Sequence, residues 1–182
     1  MTMVQERVPT GRLMRRPTGR DLVVRRRFIA PIGDVWAQLT DAPLAARWFG
    51  TWSGEAAVGA RLELRAAGDL ATGPDESDGG GGAGAPTAVV VDAPQHLELV
   101  AGGDRARSGP WHVQVRLAEH LGLTELTLVH HLRAGDRPAE LGPRWEHALD
   151  RLGWSLGEVP IEPAPAEHGE ATARYYEARD PG

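Results

Sequence analysis

The feature that most restricts how this chain can fold is a pair of alternating runs followed by one long amphipathic segment. In Trp111–Leu117 and Leu123–Leu132 apolar residues recur at every second position, with a short turn at Glu119–Gly122 between them. That is the period of strands with one buried face. Downstream, Leu141, Trp145, Leu149, Leu152 and Leu156 recur at spacings of four, four, three and four, which predicts a helix over Ala139–Leu156 with one apolar stripe. A sheet with one apolar face and a helix with one apolar stripe must cover each other to be stable in water.

The remaining segments extend this sheet. Gly11–Arg16 and Leu22–Ile29, separated by Pro17-Thr18-Gly19, read as a hairpin. Pro31 suits the first turn of a helix running to Leu39, with Ile32, Val35, Trp36 and Leu39 on one side. Asp41 is placed to cap a second short helix through Trp48. Strands are expected around Trp52 and over Arg61–Ala66, Thr87–Val91 and His96–Ala101. The fold class is therefore α+β: a curved antiparallel sheet wrapped around one long C-terminal helix, with two short helices after the first main strand. In outline, residues 1–10 form a disordered terminus, 11–157 the domain, 68–86 a flexible Gly-rich and acidic loop, and 158–182 a Pro-rich tail.

Composition narrows the chemistry. With no cysteine, the chain has no disulfides, thiolate nucleophile or thiolate metal ligands. All 20 basic residues are arginine, which removes Schiff-base chemistry and matches the coding habit of a GC-rich bacterial genome. The run Ala88–Val91 is far short of a membrane span, and Met1–Pro9 is unlike a secretory signal, so a cytoplasmic location is expected. Residues 1–27 hold eight arginines against Glu6 and Asp21, but Arg25, Arg26 and Arg27 alternate between strand faces, and no aromatic precedes Phe28. Nucleic acid is not an expected partner. Gly79–Gly84 satisfies a dinucleotide spacing in the wrong context, between an acidic run and a strand. No serine lies in a nucleophile elbow.

Several stretches together resemble a known family. Arg26-Arg27-Phe28-Ile29-Ala30-Pro31-Ile32 leads into Asp34-Val35-Trp36, Leu39-Thr40-Asp41 and Arg47-Trp48-Phe49-Gly50. Trp52-Ser53-Gly54, Gly59, Trp111, Thr124–His130, Gly142-Pro143-Arg144-Trp145-Glu146 and Leu149-Asp150-Arg151-Leu152 follow in the same order. Over residues 11–157 this succession resembles the heat-shock protein 90 ATPase activator homologue-like family of the START-like (SRPBCC) helix-grip superfamily. Tyr175-Tyr176 resemble a tail found in one bacterial branch. The resemblance implies a cavity between sheet and helix, used in the superfamily for lipids, hormones, polyketides and other apolar molecules, and by some members for cyclase or aromatase chemistry. The eukaryotic co-chaperones of the family carry an additional N-terminal domain, for which this chain is expected to lack room.

If the Glu119–Gly122 turn spans four residues, Leu117 faces Thr124, Val115 faces Leu126, Val113 faces Leu128 and Trp111 faces His130, all on the inner face. His130 and Arg26 are then polar groups on an apolar surface. A buried arginine without a carboxylate costs several kcal/mol. One reading makes Arg26 and His130 contacts for a bound ligand; the other gives His130 a backbone carbonyl and Arg26 an internal acid such as Glu63 or Glu98. The cavity candidates are Arg26, Trp48, Phe49, Trp52, Trp111, Val113, Leu128, His130, Trp145 and Leu149. Trp48 and Phe49 are expected near its entrance. His131 lies diagonal to His112 on the outer face, two imidazoles with no carboxylate or third ligand, so no metal site is expected. Asp150 and Arg151 read as the polar side of the closing helix, with Arg151 near His147 or Glu146. The expected function is non-catalytic, stress-related binding of a small hydrophobic molecule, without a cofactor and with a protein partner as a further option. The alternatives are a cyclase-like enzyme using His130 as acid or base, and a chaperone-accessory interaction module with a filled core.

Overall fold

A computed structural model of the chain describes residues 8–54, 57–59, 61–66, 87–101, 111–158 and 169–180. The side chains of 51, 52, 61–66, 87–91, 101 and 111 lie outside that description, so the expected roles of Trp52, Trp111 and Glu63 do too. The same holds for the 68–86 loop.

Eight strands form one sheet: β1 (Arg12–Arg16), β2 (Gly19–Phe28), β3 (Gly50–Ser53), β4 (Arg61–Ala66), β5 (Thr87–Asp92), β6 (His96–Ala101), β7 (Trp111–His120) and β8 (Leu123–Leu132). Their order is β1-β2-β8-β7-β6-β5-β4-β3, antiparallel throughout. The helices α1 (Ile32–Thr40) and α2 (Ala42–Ala45) connect β2 to β3, and α3 (Pro138–Ser155) closes on the sheet. Leu22, Val24 and Phe28 of β2, Leu126 and Leu128 of β8, and Val113 and Val115 of β7 meet Leu141, Trp145, Leu149 and Leu152 of α3 in one core. The expected α+β helix-grip architecture is what forms.

Two local readings are corrected. The β7–β8 turn holds two residues, not four, so Val113 pairs with His130 and Leu117 with Leu126. Leu121 (φ 52°) and Gly122 (φ 76°) both adopt positive φ, the backbone of a tight primed hairpin turn. Because the offset is two residues, every side chain keeps its expected face. The second short helix ends at Ala45 rather than Trp48. Its Asp41 cap forms as expected, with Oδ1 accepting from Leu44 N at 3.2 Å. Beyond it Arg47 N and Trp48 N bond three residues back, and this tightening carries Trp48 and Phe49 into the core.

The described parts of the chain ends carry structure as well. Residues 169–180, within the segment read as a tail, contain the helix α4 (Glu170–Glu177), which packs against α3. Thr10 and Gly11 are hydrogen-bonded to α3, so the described end of the N-terminal segment is held in place.

Candidate functional site

Two buried polar centres lie along α3. The first is His130, on the inner face of β8 and inaccessible to solvent. Trp145 Nε1 donates to His130 Nδ1 at 3.1 Å, and the two rings meet edge to face. Accepting at Nδ1 puts the neutral ring's proton on Nε2, which lies 4.0 Å from Asp136 Oδ2. Asp136 is in turn gripped by Arg133, through its backbone N–H at 2.8 Å and its guanidinium at 3.0 Å. Phe49 stacks on Trp145 at 5.8 Å between centroids, Trp48 lies against Phe49, and Trp48 Nε1 donates to the Gln38 carbonyl at 2.8 Å.

Burial lowers the His130 pKa from 6.5 to about 4, more than the Asp136 carboxylate raises it. The ring is therefore neutral at pH 7. Trp48, Phe49, Val113, Leu128, Trp145 and Leu149, expected to line a cavity, are all buried in the core, and Trp48 and Phe49 are packed inside rather than standing at an entrance.

The second centre is Arg26. Its Nη2 lies 2.7 Å from Glu146 Oε2 and 3.0 Å from Asp150 Oδ1. Its acids among the described side chains are thus on α3; Glu98 sits beside His96 and Gln114 on the other face of the sheet. Neither Glu146 nor Asp150 belongs to a solvated side of the helix: they are 2% and 3% exposed. The physical reason is that Gly142, Glu146, Asp150 and Gly153 form a second stripe beside the apolar one, and α4, β2 and the N-terminal residues cover it. Arg151 instead reaches the Arg47 carbonyl at 2.6 Å.

Glu146 is the hub of this centre. Its Oε1 accepts from Thr10 N at 2.6 Å, Gly11 N at 2.9 Å and the Tyr176 hydroxyl at 2.6 Å, while Oε2 faces Arg26. Burial and the adjacent Glu146 carboxylate both push the Tyr176 hydroxyl pKa upward, so it stays a donor. The sequence offered one signal for this hub, acids and glycines alternating along one side of a helix, and it reads equally well as ordinary surface.

Beside Arg26 a cleft of about 340 Å³ opens between β2 and α3, lined by Val8, Arg26, Arg27, Phe28, Leu149, Asp150, Gly153 and Glu158. Phe28 and Leu149 belong to the core and are each 1% exposed, so the accessible lining is mainly polar. Glu158 accepts from Ile29 N, and partial burial raises its carboxyl pKa. Of the predicted cavity residues, Arg26 and Leu149 line this cleft. His130, Trp145 and their neighbours belong to the packed interior.

On the opposite face, His112 lies directly across from His131 rather than diagonal to it, with ring centroids 4.6 Å apart. Carboxylates are present there, contrary to expectation. Asp21 Oδ1 is 2.8 Å from His131 Nδ1 and 2.7 Å from Arg16 Nε, and Glu98 lies near His96 and His112. Burial is the largest influence lowering the pKa of both His96 and His112. Among the described residues, no group of three or more His, Asp or Glu side chains is arranged to hold a metal ion. Nor is any described helix long and apolar enough to cross a membrane.

A sheet gripping a long helix across an apolar interior, with a cleft at the seam, defines a protein of the SRPBCC helix-grip class. Residues 29–156 match the family model described as "Activator of Hsp90 ATPase homolog 1-like protein", and the chain belongs to that family. Its fold class serves hydrophobic-ligand binding and polyketide cyclase or aromatase chemistry. Similar solved structures include CalU16 from Micromonospora echinospora, at 23% identity over 96% of this chain and 98% of that one, with a TM-score of 0.67. A Bordetella parapertussis protein is 26% identical over 94% of this chain and 91% of its own, with a TM-score of 0.61. DynU16, a protein of the dynemicin biosynthetic locus, is 22% identical over 75% of this chain and 47% of that one, with a TM-score of 0.55. No curated protein matches the sequence.

Proposed function

We propose that this protein binds a small, largely apolar molecule between its sheet and α3, without transforming it. The observation that carries this reading is the cleft between β2 and α3. Its volume of about 340 Å³ lies in the range of small-molecule sites, and it sets the core residues Phe28 and Leu149 beside the charged Arg26. Such a site takes a ligand whose apolar body reaches toward the core and whose polar end meets Arg26. An acid/base role for His130 fits less well. With a pKa of about 4, roughly one ring in a thousand is protonated at pH 7, and its Nδ1 is already occupied by Trp145.

Gly153 supplies the test. A Cβ there meets Glu158 Oε2 and Phe28 Cε1 at 3.7 Å, ordinary contact, so a methyl fits and a longer side chain enters the cleft. The probe is anilinonaphthalene sulfonate, an apolar fluorophore with one polar end. Saturable fluorescence enhancement is expected for the native protein and for Gly153→Ala, with at least tenfold weaker binding for Gly153→Met. Equal binding by Gly153→Met would overturn the assignment of the site. Native mass spectrometry of protein purified from its host would then identify a retained ligand directly.

A further inference from the structure

The buried Glu146 carboxylate joins parts of the chain that nothing else in the cleft's chemistry requires to meet. Thr10 and Gly11 come from the N-terminal strap, Tyr176 from α4 and Arg26 from β2, and all bond to this one side chain. The strap is also tied to α4 directly, since the Tyr175 hydroxyl donates to the Gly11 carbonyl at 3.1 Å. Two glycines shape the seat of Tyr176: a Cβ on Gly11 would lie 2.0 Å from its hydroxyl oxygen, and one on Gly142 would lie 2.2 Å from its ring. At the far end of α4, Asp180 pairs with Arg20 of β2. The strap then continues to Val8, which is exposed on its outer side and borders the cleft.

From this connectivity we infer that the strap and α4 form a single latch on Glu146, closing the edge of the cleft, and that they open together. The strap contributes few apolar contacts of its own. Its order comes from two N–H donors to Glu146 and from the tyrosines of α4. Tyr176 is itself fully buried in the core, so the latch opens only when that ring leaves its packing together with its bond to Glu146. Releasing Tyr176 removes one donor from Glu146 and frees the space above Gly11, so the strap loses its seat in the same event. Access to the cleft past Val8 follows. This last step rests on the cleft being the binding site; the joint opening does not.

Hydrogen–deuterium exchange on the full chain separates the two. Gly142→Ala drives a methyl into the Tyr176 ring, and Gly142 is not one of the residues that line the cleft. Its expected result is at least tenfold loss of protection in both residues 8–16 and 169–180, with β7 and β8 protected as in the native protein. Tyr176→Phe, which keeps the ring and removes only the hydroxyl, is expected to loosen the same two segments together by a smaller factor. It provides the reading if the glycine variant fails to fold. Loss of protection in α4 with the strap still protected, in either folded variant, overturns the latch. So does unchanged protection in both segments. In stopped-flow mixing with anilinonaphthalene sulfonate, a severalfold faster association is expected for Gly142→Ala. An unchanged rate in a variant whose segments have both opened overturns the gating step. Absence of probe binding in native protein and variant alike overturns the cleft assignment and leaves the latch to stand on exchange.

Discussion

The two polar centres, which meet α3 at the neighbouring residues Trp145 and Glu146, solve burial in opposite ways. His130 is neutral: burial removes its charge, and a single indole N–H satisfies the nitrogen that would otherwise take a proton. Glu146 is met instead by a guanidinium, two backbone N–H groups and a hydroxyl drawn from three segments. A neutral ring can be sealed inside an apolar core at the cost of one hydrogen bond. A buried carboxylate needs several donors, and the chain must be routed to supply them. The same helix therefore carries a packed interior on one stripe and a junction of chain segments on the next.

The comparison can be broken most severely at Glu146. Glu146→Ala leaves three donors without their acceptor and Arg26 with Asp150 alone, and a loss of about 3–5 kcal/mol in urea denaturation is expected. At His130 the expected effect depends on pH. The folded pKa of about 4 lies below the unfolded value of 6.5, so the unfolded chain binds more protons between them. Stability is full above about pH 6.5 and falls by roughly 3 kcal/mol as pH drops through 4. Denaturation midpoints across that range check it, and His130→Gln should flatten the slope. A fall that persists unchanged in His130→Gln would assign it to other groups.

Trp145→Phe sharpens the contrast. It removes the donor that blocks Nδ1, so the His130 pKa should rise toward 6.5 in an NMR titration, with a stability loss of about 2 kcal/mol. A pKa that stays near 4 would assign the whole depression to burial. The smallest effect is expected from Tyr176→Phe, about 1 kcal/mol in urea denaturation, because the remaining donors still satisfy Glu146.

Much of the inner sheet was legible from alternation alone. Val113, Leu126, Leu128 and His130 point inward because side chains alternate with a period of two, whatever the register. The register itself was not legible, because the turn that sets it places a leucine at positive φ, where sequence rules look for glycine or asparagine. The Asp41 cap was legible because a cap is a local bond. The helix that it starts ended early because tertiary packing of Trp48 and Phe49 overrode the local spacing.

The chain's own pattern of residues was enough to determine the fold class, the inward face of β8 and the apolar stripe of α3, since each depends on a period repeated over neighbouring positions. Only the tertiary structure decided which acids meet Arg26, that Glu146 is buried, and that Tyr176 sits in a notch of glycines. Those contacts join residues 120, 135 and 30 positions apart. Whether a polar residue on a helix faces water or another segment is set by what the rest of the chain lays over it.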